Sequence, residues 1–142
     1  MLRVVIDKNL WIRALLGGTI TIPVLEAWRD HKFTVITSQH LLAELDNVWQ
    51  RPRLQQRIRN QDARLLIEQL RFRAEMVAPT TVPPRCRDPK DHPVLAAAID
   101  GHADAIVTGD ADLRADDELR IQMQQYGVAL WGVDTLLERV LD

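Results

Sequence analysis

Residues 103–113 read ADAIVTGDADL, and this stretch decides the fold class. Its centre, Ala105–Val107, is a short apolar run with β-branched residues, which is the composition of a buried strand in a parallel sheet. Thr108, Gly109 and Asp110 follow the strand directly. Ligands bind at the carboxyl ends of the strands in open α/β sheets. The stretch therefore predicts a strand that delivers a carboxylate to a ligand-binding edge.

The same pattern occurs near the start of the chain, where residues 2–6 form an apolar run that ends at Asp7. Further apolar runs predict strands at residues 33–36, 76–78 and 128–131. Between the strands, apolar residues at helical spacing predict helices near residues 10–15, 23–30, 41–49, 56–72, 89–100, 116–124 and 134–141. We therefore predict an α/β fold, with a three-layer α/β/α domain over residues 1–142 and a central parallel sheet of four to five strands.

The composition sets the class of protein. With 142 residues, 46% hydrophobic and 27% charged, the chain is typical of a soluble globular domain. Cys86 is the only cysteine and cannot form an internal disulfide, so a reducing intracellular setting is the simpler expectation. Neither a signal peptide nor an apolar run of about 20 residues is visible, and we expect a cytoplasmic protein that does not span a membrane.

The distribution of charge is more informative than the net charge of −2. Residues 51–73 contain seven arginines but only two acidic residues, Asp62 and Glu68. Such a basic stretch can hold the phosphates of a nucleic acid, and it can equally be the solvated face of surface helices. The sequence leaves both interpretations open.

Two acidic residues, Asp7 and Asp110, follow predicted buried strands. The carboxyl ends of parallel strands meet at one edge of a sheet, so the topology places both carboxylates there. A single aspartate after a strand is most often a turn or helix cap. Two at equivalent positions favour a shared site.

Two further acids are ambiguous. Glu44 borders the inward face of a predicted helix that carries Leu41 and Leu45, so its carboxylate either reaches solvent or lines a polar cleft. Asp88 directly precedes a proline, as a helix N-cap does, and Asp91 follows three residues later. A carboxylate at that position can cap the helix or bind a metal ion, and the local sequence does not separate the two.

Carboxylates that lie close together repel one another unless a cation neutralises them. Ligands that are all oxygen atoms suit Mg²⁺ or Mn²⁺ rather than Zn²⁺. The four histidines show no paired metal-ligand spacing, and Ser38, the only serine, is more simply a helix cap than a nucleophile. The chain also has no glycine-rich phosphate-binding loop. The residues therefore indicate a divalent-cation site built from carboxylates.

Four segments together resemble the motifs of PIN domains, in the order in which that family has them. They are residues 5–11 (VIDKNLW), 41–45 (LLAEL) with RPRL at 51–54, 87–91 (RDPKD) and 103–113. The last segment is the closest match, and the resemblance spans nearly the whole chain. It is nearest to the VapC-like toxins of toxin–antitoxin pairs.

The resemblance implies cleavage of RNA with Mg²⁺ or Mn²⁺ as cofactor. The residues that match the acidic quartet of the family, as catalytic residues and metal ligands, are Asp7, Glu44, Asp91 and Asp110. Asp112 matches an auxiliary metal ligand. The expected partners are RNA, a cognate antitoxin protein and a second copy of the chain in a homodimer, and no membrane.

The resemblance also implies supporting roles outside the quartet. Residues that would order the site are Asn9, Asp88 and Thr108. Arginines that would hold the RNA backbone are Arg51, Arg53 and Arg87. The four tryptophans could stack on bases, but packing in the core or at an interface is the favoured interpretation for each.

Two positions depart from the family pattern. Lys8 stands where a hydroxyl residue usually follows the first aspartate, and its ammonium group could pair with Asp7, compete with a metal ion or reach solvent. His92 stands where a small polar residue is usual. We expect His92 to be a surface residue of the first helical turn, with contact to a metal ligand as the alternative.

The main alternative function is that of a non-catalytic PIN fold, which binds RNA or protein and has an impaired metal site. A second alternative is a phosphoacceptor receiver domain, which also places acids around Mg²⁺ at strand ends. A receiver requires an acidic pair near the first strand and a lysine after the last one. This chain has Asp7 alone at the first strand and no lysine after Lys90, which disfavours a receiver.

Overall fold

The computed structural model describes residues 1–85 and 88–141 and contains a five-stranded parallel sheet. The strands are β1 (Arg3–Ile6), β2 (Thr34–Ser38), β3 (Glu75–Val77), β4 (Ala105–Val107) and β5 (Ala129–Trp131). Their order in the sheet is β3-β2-β1-β4-β5, and every neighbouring pair is parallel. The prediction of a parallel sheet of four to five strands is confirmed.

Nine helices surround the sheet in the described part of the chain. They are α1 (Lys8–Leu15), α2 (Ile22–Arg29), α3 (Gln39–Trp49), α4 (Pro52–Gln55), α5 (Asn60–Arg73), α6 (His92–Asp100), α7 (Ala111–Arg114), α8 (Asp117–Gln124) and α9 (Val133–Val140). A short 3-10 turn, Pro89–Asp91, precedes α6. Among these helices there is none long and apolar enough to cross a bilayer.

Two hydrophobic clusters lie on opposite faces of the sheet and make the fold three-layered. One contains buried residues of α1, α2, α3, α5 and α9, and the other contains those of α6, α7 and α8. Successive residues of β1 alternate between them, since Val4 belongs to the first cluster and Val5 to the second. A strand that is covered on both faces has no polar face, which explains why its sequence is a continuous apolar run.

The strand order also decides between two of the candidate folds. Receiver domains have the flavodoxin-like order 2-1-3-4-5, whereas β1 of this chain lies between β2 and β4. The chain moves from β1 outward to β3 and then returns to the other side of β1 with β4. The switch point is therefore the crevice between the carboxyl ends of β1 and β4, where ligands bind in such sheets.

Helix boundaries follow local signals in most places. Ser38 caps α3 as predicted, because its Oγ accepts a hydrogen bond from the Leu41 backbone N at 3.2 Å. The short helix α7 is not among the predicted elements, and it begins at Asp110, whose side chain caps it. With four residues, α7 is too short to show an apolar period.

Gly101, at the carboxyl end of α6, lets this helix approach the sheet closely. A Cβ at this position would lie 2.6 Å from Cγ2 of Ile36 and 2.8 Å from the carbonyl oxygen of Ala97. We expect Gly101→Ala to lower the free energy of unfolding by about 1–3 kcal/mol, because an added methyl must displace buried atoms. Urea unfolding of both proteins measures the difference. An unchanged midpoint would show that the contact between α6 and β2 relaxes without cost.

Candidate metal centre

Thr108 links the two strand-end carboxylates. The β1–β4 ladder continues past the strands, with the Asp7 backbone N donating to the Val107 carbonyl oxygen at 2.9 Å. The buried Thr108 hydroxyl donates to Asp7 Oδ2 at 3.1 Å, and the Asp110 backbone N donates to Thr108 Oγ1 at 3.0 Å. The predicted placement of Asp7 and Asp110 at one sheet edge is therefore seen in the structure, and Thr108 occupies the supporting position between them.

Asp91 lies beside the same edge, at the end of the 3-10 turn that precedes α6. Burial raises the pKa of Asp91, and the charges of Asp7, Asp88 and Asp110 raise it further, while the Lys8 ammonium partly opposes them. Carboxylates shift one another's pKa in this way only when they are close. The structure thus brings Asp7, Asp91 and Asp110 together from three separate parts of the chain.

The capping interpretation applies to Asp88 and not to Asp91. The Asp88 carboxylate accepts a hydrogen bond from the Lys90 backbone N at 3.0 Å and so holds the first turn. The Asp91 carboxylate makes no capping hydrogen bond. Asp91 is half-buried next to other carboxylates. Within the described chain, it has no local structural role that would explain this position.

An acidic cleft of 370 Å³ opens at this edge. The residues that line it are Asp88, Asp91, Asp110, Asp112, Leu113 and Asp116. Asp110 Oδ1 accepts hydrogen bonds from the backbone N atoms of Asp112 at 2.9 Å and Leu113 at 3.4 Å, so Asp110 also caps α7. Asp116 was not predicted as a site residue. Its Oδ1 caps α8 through the Leu119 backbone N, and its place in the cleft depends on how α7 turns into α8.

Glu44 is engaged by two neighbouring side chains. Its Oε2 lies 3.3 Å from Lys8 Nζ, and its Oε1 lies 2.9 Å from His40 Nε2. The Lys8 and Glu44 side chains are each 28% exposed, so this ion pair is partly shielded from water. Glu44 and Asp7 line a separate cavity of only 20 Å³. The ammonium of Lys8 therefore pairs with Glu44, which answers the question that the sequence left open.

The carboxylates at this sheet edge are suitable ligands for a hard divalent cation, but in this structure they do not surround a single point. In residues 1–85 and 88–141, no three acidic, histidine or cysteine side chains converge closely enough to hold an ion as they stand. Binding a cation at the edge therefore requires side-chain rotation. The chemistry is suitable, because Asp7, Asp91 and Asp110 offer only oxygen atoms, and burial together with the neighbouring carboxylates raises the pKa of Asp91.

The remaining predicted site residues do not line the acidic cleft or lie outside the described residues. Asn9 is exposed in the first turn of α1, and within the described ranges its side chain makes no hydrogen bond. Arg51 and Arg53 are exposed around the start of α4 and line neither the acidic cleft nor the small cavity at Glu44. Arg87 lies outside the described residues, as does Cys86.

The structure corrects the favoured interpretation of His92, which is half-buried rather than on the surface. His92 Nε2 is buried and has no hydrogen-bond partner within the described chain. The core interpretation of three tryptophans is confirmed, since Trp11, Trp28 and Trp49 are at most 4% exposed. Trp11 and Trp28 pack edge to face with ring centroids 5.4 Å apart, which excludes stacking of either ring on a base in this structure.

Comparison with known proteins identifies the family to which the chain belongs. A search of curated proteins finds no match. A family model described as a PIN domain matches residues 3–112, which include Asp7, Glu44, Asp91, Asp110 and Asp112. The match covers well over half of the chain and ends before α8, β5 and α9. Together with the parallel sheet and the carboxylates at its switch point, it establishes that the chain belongs to the PIN-domain family.

Proposed function

We propose that this protein is a metal-dependent endoribonuclease that hydrolyses RNA phosphodiester bonds with Mg²⁺ or Mn²⁺. The observation that carries the proposal is that Asp7 and Asp110 lie at the switch point and are joined through Thr108, with Asp91 beside them, where burial and the neighbouring carboxylates raise the pKa of Asp91. PIN domains are typically metal-dependent nucleases, so membership of the family supports the same activity.

The residues of the edge have different tasks in the proposed mechanism. Asp7, Asp91 and Asp110 would hold the cation, which would supply the positive charge that polarises a phosphodiester. The Thr108 hydroxyl fixes Asp7 in one orientation, so one ligand is positioned in advance. Asp88 holds the turn that carries Asp91. Asp112, two residues after Asp110, also lines the cleft and would act as the auxiliary ligand.

We further propose that the nuclease is the toxin of a toxin–antitoxin pair, as the resemblance to VapC-like proteins suggests. A cognate antitoxin and a homodimer are part of this proposal, as is a site of action in the cytoplasm, where RNA is available. These assignments rest on the resemblance.

A non-catalytic PIN fold is the second candidate, and one observation favours it. Lys8 and His40 contact both carboxylate oxygens of Glu44, which would otherwise complete the acidic quartet. A site that uses three of the four acids binds a cation less strongly. The module would then bind RNA or a protein without cleaving it.

Cleavage of labelled RNA separates the two candidates. We expect the purified protein to cut single-stranded or structured RNA when Mn²⁺ or Mg²⁺ is added, and EDTA to stop the reaction because the carboxylates then lack their cation. Asp7→Asn, purified in parallel, controls for contaminating nucleases and should be inactive. RNA that is bound but left intact at saturating Mn²⁺ would contradict the enzyme and support the binding module.

A further inference from the structure

Three arginines line an open groove beside the loop that follows β4. Arg13 comes from α1, Arg57 follows α4, and Arg114 ends α7. We call this 680 Å³ space, lined by these residues together with Thr108 and Gly109, the arginine groove. Its volume is in the range of functional ligand sites.

The arginine groove shares a wall with the candidate metal centre. Thr108 lines the groove, and its hydroxyl donates to Asp7 Oδ2 at 3.1 Å. The guanidinium of Arg13 lies against Gly109, because a Cβ added to that glycine would be 2.6 Å from Arg13 Nη1. Gly109 is the residue before Asp110. A ligand bound beside Gly109 therefore lies one residue away from Asp110 of the acidic cleft.

The charge of the groove is largely uncompensated. Across the described ranges, none of its three arginines forms an ion pair, and Asp134 is the only acid in the lining. The guanidinium of Arg114 and the carboxylate of Asp134 both lie against Gly132, and the buried Nε of Arg114 has no hydrogen-bond partner within the described chain. By contrast, Arg3 is held by Glu75 and Arg120 by Asp117. The lining of the groove thus carries three arginines against one acid, in a chain whose net charge is −2.

We propose that the arginine groove binds the phosphates of a single RNA strand next to the bond that is cut. The inference rests on the proposed nuclease function and adds the path of the substrate. Guanidinium groups recognise phosphate oxygens through paired N–H donors. An RNA strand is favoured over an acidic peptide because Thr108 and Gly109, which line the groove, directly precede Asp110 in the cluster of carboxylates. That cluster repels carboxylate ligands, whereas a phosphodiester can share its cation.

Two double variants with the same change in net charge test the groove. Arg13→Ala with Arg57→Ala removes two exposed groove residues, and Arg64→Ala with Arg71→Ala removes two exposed arginines of α5 that do not line it. The probe is a fluorescent single-stranded RNA of ~12 nucleotides, measured by anisotropy in EDTA so that nothing is cleaved. We expect the groove variant to bind about tenfold more weakly than the parent. The slope of log affinity against log salt should fall by about 1.4, while the α5 variant matches the parent.

Arg114→Gln provides an independent test. This variant should also bind RNA more weakly than the parent, and its slope of log affinity against log salt should fall by about 0.7. Equal RNA binding by the parent and the groove variant would overturn the proposal, as would equal weakening in both double variants. Loss of binding to a polyglutamate peptide with unchanged RNA binding would also overturn it and assign the groove to an acidic protein segment. Because EDTA blocks catalysis, weaker RNA binding by the groove variant supports the groove even if the parent cleaves no RNA.

Discussion

Asp91→Asn is expected to lower the rate of RNA cleavage by about 10³-fold. The amide keeps the shape of the side chain but removes the charge that helps to hold the cation. A loss of about 4 kcal/mol of transition-state stabilisation corresponds to that factor. Mn²⁺ binding, measured by calorimetry, should weaken in the same variant. The effect should exceed that of Glu44→Gln, because Glu44 is already engaged by Lys8 and His40.

The same substitution should stabilise the metal-free protein at neutral pH. The pKa of Asp91 is raised in the folded chain by burial and by the charges of Asp7, Asp88 and Asp110. Protonation of Asp91 therefore favours folding. This contribution is present below the ordinary aspartate pKa of 3.8 and is lost as the pH rises through the higher folded value. An amide cannot ionise, so the Asp91→Asn variant avoids this loss.

Urea unfolding in EDTA at neutral pH checks the stability effect, and the difference from the parent should shrink on acidification. Saturating Mn²⁺ should then reverse the order, since a ligand at about 100 times its Kd stabilises the parent by about 2.7 kcal/mol. Asp30→Asn, an exposed change near the opposite edge of the sheet, serves as the control. A variant that is less stable than the parent in EDTA and still binds Mn²⁺ would show that Asp91 has a structural role instead.

Lys8→Ala is expected to tighten Mn²⁺ binding by about 30-fold. The ammonium of Lys8 pairs with Glu44 and also acts on Asp91, so it repels any cation held at the sheet edge. Removing a unit charge near a divalent ion in a partly exposed site changes the binding free energy by about 2 kcal/mol. Cleavage at limiting Mn²⁺ should rise in the same direction.

Titration calorimetry measures the gain, and Lys32→Ala makes the same charge change on an exposed residue before β2, away from the site. Adding Glu44→Gln to Lys8→Ala restores the charge of the site and should return the affinity toward that of the parent. Weaker Mn²⁺ binding in Lys8→Ala would contradict this reasoning and show that Lys8 orders the ligands. In that case its pairing with Glu44 would be a requirement for the site rather than an impediment.

The sheet was predictable from the sequence because its strands carry the signal themselves. Residues 105–107 and the run that ends at Ile6 are apolar on both faces, and each is followed by a polar turn. That pattern requires helices on both sides of a parallel sheet. The order of the strands was not predictable in the same way. It depends on which edge of β1 receives β4, and no local residue encodes that choice.

The part of the site that lies at strand ends was predictable from the sequence. The part that depends on helices packing against each other was not. Asp7 and Asp110 follow adjacent strands, so strand pairing alone brings them together. Lys8 and Glu44 are far apart in sequence and meet only because α1 packs against α3. The arginine groove likewise combines Arg13, Arg57 and Arg114 from three elements. A basic run drew attention to residues 51–73, but two of the three groove arginines lie outside it.

The hydrogen bond between Thr108 and Asp7 joins residues that are 101 positions apart. During synthesis, this separation delays the formation of the contact. At elongation rates of about 5–20 residues per second, Asp110 is added roughly 5–20 s after Asp7. Until then β1 lacks its β4 neighbour, and the first carboxylate has neither its hydroxyl partner nor its companion acid. A nascent fragment that ends before Asp110 therefore cannot assemble the centre. The connectivity of the sheet therefore keeps the carboxylates apart until most of the chain has been synthesised.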